Sequence, residues 1–355
     1  MLVLAPTGRL AATLRAKNPH LDVDTIHGAL LVFKPIQETL ELMLPYDLIV
    51  IEEVGQLSQA LFERIMQLWE AAEQLPTIVF VGDFWQLPGV EPTKATDSPM
   101  WHSVRVKKRE LYTMHRCKCK DLQHKLEILR TGKPSVKQLR DIKKNHKAPA
   151  RYRDAVRMNP EPTPSDVKQI LAEKPETLFL TISRVACAKL NQWALDSLFA
   201  DAAPLTTLPT CPEANVENYV GSKQVREEPL LLHVYEGMRI ILTKNLNKLI
   251  GFVNGMGATV LRMGQKGLFV RTDQGVPITI HPWTSPEKVT HFPFRLGYAS
   301  TLHKVQGATL ADITIWLDIP NMPAAAYVAL SRVEYDANWR FIGDPGIHHF
   351  TSARF

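Results

Sequence analysis

The chain has 355 residues, of which 45% are hydrophobic, enough to bury the cores of two or three domains. No apolar run approaches the roughly 18 residues of a membrane span, and the apolar start at Met1 lacks the basic flank and small-residue cleavage site of a signal peptide, which argues against membrane and secreted classes. Four cysteines make no disulfide framework and fit a reducing compartment, so an intracellular protein is expected, nuclear or mitochondrial if the source is eukaryotic.

The net charge of +6 is unevenly spread. Residues 101–160 hold 18 Lys/Arg against 5 Asp/Glu, whereas the rest of the chain holds 24 against 31. Such a stretch suits a polyphosphate partner, because each cation that neutralises a phosphate releases counterions. A solvated lysine-rich helical surface fits the charge equally well.

In chain order, the first hundred residues alternate short apolar runs with helical pattern, as in a parallel sheet covered by helices. Tyr46 to Ile51 and Thr77 to Gly82 read as buried strands. Leu57, Leu61, Ile65 and Leu68 recur between them at helical spacing, giving a strand–helix–strand crossover. Both strands end in acids, Glu52–Glu53 and Asp83, where open α/β sheets place their chemistry. Asn159 to Pro175 is rich in proline and reads as a surface connection. Beyond it, Thr177 to Ile182 predicts a strand, Ala186 to Leu198 a helix, and Asp201 to Pro229 irregular chain. Four short strand patterns from Gly237 to Trp283, separated by turn residues, predict a small inserted barrel. A strand at Ile313 to Leu317 and a helix from about Pro323 restore the α/β pattern.

Six short motifs stand in a fixed order: Ala5-Pro6-Thr7-Gly8, Thr25-Ile26-His27-Gly28, Glu52-Glu53, Gly82-Asp83-Phe84-Trp85-Gln86-Leu87-Pro88, Thr301 to Leu310 (TLHKVQGATL), and Tyr327 to Arg332 (YVALSR). Together they resemble the superfamily-1 helicases of the Pif and RecD-like group, where they would be motifs Ia, Ib, II, III, V and VI. The resemblance runs over essentially the whole chain. It implies an α/β fold of two RecA-like P-loop NTPase-type domains, the first incomplete, with a small β-barrel insertion in the second. The corresponding boundaries are 1–105 for the first domain, 106–236 with 284–355 for the second, and 237–283 for the barrel. The implied activity is that of a monomeric, ATP-dependent 5′-to-3′ DNA helicase acting on single-stranded DNA and duplex junctions, with ATP and Mg²⁺ as cofactors. Family roles in DNA repair, recombination and telomere maintenance come with it.

Hydrolysing ATP needs a carboxylate to help hold magnesium, a group to orient the attacking water, and cations facing the transferring phosphoryl group. By the resemblance, Glu52 would hold Mg²⁺ and Glu53 would act as base. Glu52 stands where the family has aspartate, and its extra methylene displaces the carboxylate on a scale that can matter for rate. Gln86 would sense the γ-phosphate, with Asp83 fixing its loop. Arg116, in LYTMHR, and Arg332 would reach the nucleotide from the second domain, approached there also by Gln306 and Gly307.

The family's single-strand contacts map to Thr7, Gly8 and His27 on the first domain and to Thr301, His303 and Lys304 on the second. Val305 replaces the family's usual serine and removes a hydroxyl. Phe84 and Trp85 have two readings, stacking on bases or packing under the sensor loop. Gly237-Met238-Arg239 and Asn254-Gly255-Met256 resemble the family's barrel segment. His115, Cys117, Cys119 and His124 lack the spacing of a usual zinc site.

No Gly-x4-Gly-Lys-Ser/Thr loop is present to cradle phosphates. The nearest look-alike, Thr131-Gly132-Lys133-Pro134-Ser135, has Glu127 in place of the first glycine and proline after the lysine, and reads as a turn. Its absence predicts an exposed edge on the Thr77–Val81 strand and an incomplete gene model or fragment that binds ATP poorly. A non-catalytic single-strand nucleic-acid-binding protein is the alternative function.

Overall fold

The computed structural model describes residues 1–355 apart from 73, 75, 88, 90, 104–106, 148–160, 215, 222, 226, 344 and 354–355. Pro88 of the GDFWQLP run, Asn159, Pro160 and part of the basic stretch lie outside the described residues. The chain divides into two compact units, Met1–Met114 with Ala353–Phe355, and His115–Ser352. This division falls nine residues beyond the 105/106 boundary expected from sequence.

The first unit runs β1 (Leu2–Ala5), α1 (Gly8–Lys17), β2 (Asp22–Thr25), α2 (Ile26–Ala29), α3 (Ile36–Thr39), β3 (Leu48–Ile51), α4 (Gln59–Ala71), β4 (Thr77–Phe80) and α5 (Pro99–Ser103). Its sheet has the order β2-β1-β3-β4, with every neighbouring pair parallel. Ala5 pairs with Thr25, Leu4 with Ile51, and Ile51 with Phe80, so the four carboxyl ends share one edge. Leu4, Ile49 and Ile51 are fully buried against Ile26, Ile65 and Leu68, and each such side chain stabilises the fold by roughly 1.5–3 kcal/mol. Helix α4 begins where the Ser58 hydroxyl accepts a hydrogen bond from Leu61 N at 3.3 Å, and its buried face is Phe62, Ile65, Met66 and Leu68. Strand β4 forms an outer edge of the sheet, the position expected for it, and Val79 and Val81 are 41% and 37% exposed there.

The second unit opens with α6 (Lys120–Thr131), α7 (Val136–Lys143) and α8 (Pro164–Glu173). Helix α8 overturns the expectation of a structureless connection after Asn159. Thr163 and Asp166 cap each other's backbone N–H, and Pro164 sits in the first turn, where its missing N–H costs nothing. Then come β5 (Leu178–Thr181), α9 (Arg184–Leu198), β6 (Thr206–Thr210), β7 (Tyr219–Val220), β8 (Lys223–Gln224) and β9 (Leu230–Val234). Strand β6 pairs antiparallel with β9 inside the segment expected to be irregular.

Strands β10 (Arg239–Leu242), β11 (Gly257–Gly264), β12 (Gly267–Thr272) and β13 (Pro277–Ile280) fall on the four short patterns predicted there. After β14 (Trp283–Thr284) and β15 (Thr290–His291), β16 (Phe294–Leu296) joins them in an antiparallel sheet of order β13-β12-β11-β10-β16. Among the described residues β13 and β16 are its two unpaired ends, so the pairing shown is an open sheet. The unit ends with β17 (Ala299–Thr301), β18 (Ile313–Trp316), α10 (Ala325–Leu330) and β19 (Trp339–Phe341). A second parallel sheet, β17-β5-β18-β19, is its α/β core, with Phe179, Leu180, Ile313 and Ile315 fully buried. No helix among the described residues is long and apolar enough to cross a membrane.

Candidate active site and nucleic-acid interface

Four of the six motifs lie along the carboxyl edge of the first unit's sheet. Beyond β1, Thr7 caps α1, its hydroxyl accepting from Leu10 N at 3.3 Å, and Gly8 opens the helix. Beyond β2, Thr25 caps α2 by accepting from Gly28 N at 3.1 Å, which presents His27 to solvent. Beyond β3, Glu52 N donates to Leu4 O at 2.8 Å, and Glu53 adopts the left-handed region at φ 53°. Burial pushes the Glu52 carboxyl above the usual range, and repulsion from Glu53 adds to the rise.

Beyond β4, Gly82 is pressed against the carboxylate turn: a Cβ there would meet Val54 N and Cγ1 at 2.9 Å. Asp83 organises the next turn, accepting from Trp85 N at 3.1 Å and, weakly, from Gln86 Nε2 at 3.5 Å. Asp83 is thus hydrogen-bonded to both residues that follow Phe84, including the glutamine it was expected to fix. Phe84 packs edge-on against Trp101 at 5.9 Å between centroids, whereas Trp85 is 41% exposed. The two aromatics thus divide between packing and availability.

The second unit gathers three further segments. Arg116 Nη1 donates to Ser331 O at 2.8 Å, its Nε to Thr309 Oγ1 at 3.0 Å, and its Nη2 to Gly307 O at 3.5 Å. One guanidinium therefore ties the LYTMHR segment to both TLHKVQGATL and YVALSR. Arg332 is buried, with Nε donating to Val328 O at 3.0 Å and Nη2 to Ser331 Oγ at 2.6 Å. Gln306 is buried beside Gly307, whose φ of 77° suits a residue without Cβ.

Thr301 ends β17, and a 3-10 turn over Leu302–Val305 carries His303 and Lys304. Burial pulls the His303 imidazole below its usual range. Lys304 Nζ pairs with Glu213 Oε2 at 3.0 Å. Val305 is fully buried, so the position that lacks a hydroxyl serves the apolar core.

A family profile for an AAA domain matches residues 1–148. The chain is 27% identical over 186 residues to the ATP-dependent DNA helicase Pif1 of Bdellovibrio bacteriovorus, covering 47% of this chain and 41% of that one. It is 24% identical over 331 residues to the Campylobacter jejuni protein of the same name, covering 82% of this chain and 68% of that one. Over most of its length the chain is therefore similar to Pif1 helicases. A Bacteroides Pif1 helicase solved with ADP-AlF3 and single-stranded DNA shares the fold at a TM-score of 0.66, with 19% identity over 96% of this chain and 82% of that one.

In this chain the expected residues fall into two sets. Thr7, Gly8, His27, Glu52, Glu53 and Gln86 share one sheet edge, and Arg116, Thr301, His303, Lys304, Gln306, Gly307 and Arg332 belong to the second unit. The look-alike TGKPS begins on the last residue of helix α6 and no strand leads into it. Among the described residues no group of three or more His, Cys, Asp or Glu side chains suits a metal ion, the His115–Cys119 region included. Mg²⁺ on a nucleotide needs only one or two protein carboxylates beside phosphate and water oxygens, so the half-buried Glu52 fits that role.

The sequence reading missed Thr309, Ser331, Glu213 and Asn191. Thr309 and Ser331 sat within recognised motifs, and that adjacency was the available signal. Asn191, buried in α9, accepts from Tyr298 N and Ala299 N at 2.9 Å each and so fixes the strand that leads into Thr301. Nothing in its helical context marks it.

Proposed function

We propose that this chain is the body of a Pif1-type, ATP-dependent 5′-to-3′ DNA helicase. The observation that carries the reading is the shared carboxyl edge of the first unit. There the Glu52–Glu53 pair and the Asp83-braced Gln86 lie on the same ledge as Thr7, Gly8 and His27. Nucleotide chemistry and strand contact on one rigid sheet edge is what a translocating motor needs, since motion in one must be felt by the other.

In this reading Glu53 orients the attacking water and accepts its proton, while Gln86 reports the terminal phosphate. Glu52 would hold Mg²⁺, which when bound neutralises phosphate charge. Arg332, held in place through Arg116 and Ser331, would meet phosphate charge, with Gln306 and Gly307 on the same set of motifs. Thr301, His303 and Lys304 join Thr7, Gly8 and His27 on the strand, gripping phosphate and sugar without reading bases.

The 355 residues contain no phosphate-cradling Gly-x4-Gly-Lys-Ser/Thr loop, and this favours a second reading, a single-strand binder without a working motor. We expect this 355-residue chain to bind single-stranded DNA with an affinity indifferent to ATP, and not to unwind duplex. Fluorescence anisotropy with an oligothymidine, with and without ATP–Mg²⁺, together with a forked-duplex unwinding assay, separates the readings. ATP-dependent unwinding by the purified chain would overturn the inactive assignment.

A further inference from the structure

Lys304 stands at a proposed strand contact, yet its ammonium is not aimed at solvent alone. Glu213 comes from a 3-10 turn over Pro212–Ala214, 91 residues earlier in sequence, and its Oε2 lies 3.0 Å from Lys304 Nζ and 3.6 Å from Arg295 Nε. The turn is tied down independently: Cys211 N donates to Phe294 O, Ala214 N to Cys211 O, and Asn218 Nδ2 to Pro212 O. Arg295 is buried at 5% exposure in β16, and Arg184, the first residue of α9, adds a third cation whose field reaches Glu213. One carboxylate thus answers three cations.

Burial alone would raise the Glu213 pKa, but Lys304, Arg295 and Arg184 together hold it below the usual carboxylate range. The reciprocal effect falls on Lys304. Burial lowers its pKa and Arg295 lowers it further, whereas Glu213 is the principal group opposing that fall. Cys187 and Tyr219 also face the cluster, and burial holds both in their neutral forms.

The space enclosed by Arg184, Glu213, Tyr219, Arg295, Thr301 and Lys304 measures about 10 Å³, room for about one water. A phosphate cannot enter it. The Lys304 side chain is nevertheless 39% exposed, against 25% for Glu213 and 7% for Arg295. Glu213 therefore grips the ammonium from inside while its outer donors remain open to solvent.

The geometry points to Glu213 as a positioning residue for DNA binding: its carboxylate holds Lys304 at the surface of the 301–305 turn and screens it from Arg295, so that Lys304 meets a strand phosphate. This rests on the proposed reading of Lys304 as a strand contact. Removing the carboxylate leaves two adjacent cations with no counterion and releases a flexible side chain whose order must then be established on binding.

The test measures oligothymidine affinity of the full 355-residue chain by anisotropy, across salt concentration and between pH 7 and 9. Its variants are Glu213→Gln, Lys304→Met and the double substitution. Lys304→Met should weaken binding about 5- to 20-fold and reduce the salt slope by roughly 0.7, the loss of one phosphate contact on a single strand. Glu213→Gln should weaken binding by a similar factor, the double variant should be no worse than Lys304→Met, and Glu213→Gln alone should lose further affinity as pH rises to 9. Glu213→Asp, which keeps the charge but retracts it by one methylene, should fold and bind at least about 3-fold more weakly than the parent.

Folded Gln and Asp variants that bind like the parent, or Glu213 and Lys304 effects that simply add, would overturn the assignment. Failure of both Glu213 variants to fold also overturns it, because the residue would then serve the core. If Lys304→Met itself leaves affinity unchanged, it is the strand-contact reading of Lys304 that fails.

Discussion

Replacing Asn191 with alanine should cost the second unit more than any surface change, because its amide is the bracket between α9 and β17. Oδ1 accepts from Tyr298 N and Ala299 N at 2.9 Å each, and Nδ2 donates to Ala299 O at 3.2 Å and weakly to Cys187 Sγ at 3.5 Å. The side chain is buried at 4% exposure, so alanine brings no water to these groups and leaves two backbone N–H donors without their acceptor. Each buried polar group left unsatisfied costs about 1–3 kcal/mol, which places the substitution at roughly 3–5 kcal/mol before any cavity cost. In a unit of this size that corresponds to a fall of roughly 6–20 °C in its unfolding midpoint. Urea and thermal unfolding followed by circular dichroism would measure it. A destabilisation under about 1 kcal/mol would refute the reasoning, since it would mean that those donors find other partners.

Three further outcomes follow from the same structure. Gly82→Ala places a methyl 2.9 Å from Val54 N and should destabilise the first unit by about 1–3 kcal/mol; unchanged urea stability would show that the carboxylate turn can retreat at no cost. Asp336 is held down to about 2 because hydrogen bonds from His146 and Lys125 overcome its burial. With its folded pKa depressed, its stabilisation is complete above the ordinary carboxylate value of about 3.9 and is lost as pH falls towards 2. The stability gap between the parent and Asp336→Asn, on the order of 2 kcal/mol at neutral pH, should therefore narrow in urea titrations between pH 5 and 2.5, and a constant gap would contradict this. Val79→Lys, on the exposed face of edge strand β4, should reduce self-association measured by light scattering without lowering stability.

The sequence exposed the elements whose signal is local. The apolar runs of β3 and β4, the helical spacing of α4 and the alternation through β10 to β13 are all consequences of one face meeting a core. Strand β2 was illegible because Asp22-Val23-Asp24-Thr25 is a polar edge strand with one buried residue. Strand β6 was obscured by Pro209, which pairs with Leu231 of β9 and still serves the strand through its carbonyl, the acceptor for Phe292 N at 2.7 Å. Helix α8 was hidden by the same prolines that its capping residues make harmless. In the sites, motif residues could be named but their partners could not. Glu213 lies 91 residues from Lys304, Asn191 lies 108 from Ala299, and Ser331 lies 215 from Arg116, distances at which no periodicity survives.

The two arginines of the second unit differ in a way that motif identity alone would not reveal. Arg116 is spread over Ser331, Thr309 and Gly307 and so fastens separate motifs together, whereas Arg332 turns back onto Val328 O and Ser331 Oγ within its own helix end. For Arg332 to touch a phosphate, those bonds must open, at about 1 kcal/mol or more apiece. A charge-assisted contact to phosphate returns roughly 1.5–3 kcal/mol, so the exchange is nearly balanced. Under the proposed function a group in that balance would respond to a bound nucleotide, whereas a freely solvated arginine would be extended regardless and would report nothing. Ser331 sets the balance because its hydroxyl holds Arg332 and its carbonyl holds Arg116. In the proposed function, Arg116 would keep the backbone under Ser331 fixed while Arg332 exchanges its bonds for a phosphate, so the two arginines would share the site as a brace and a reporter.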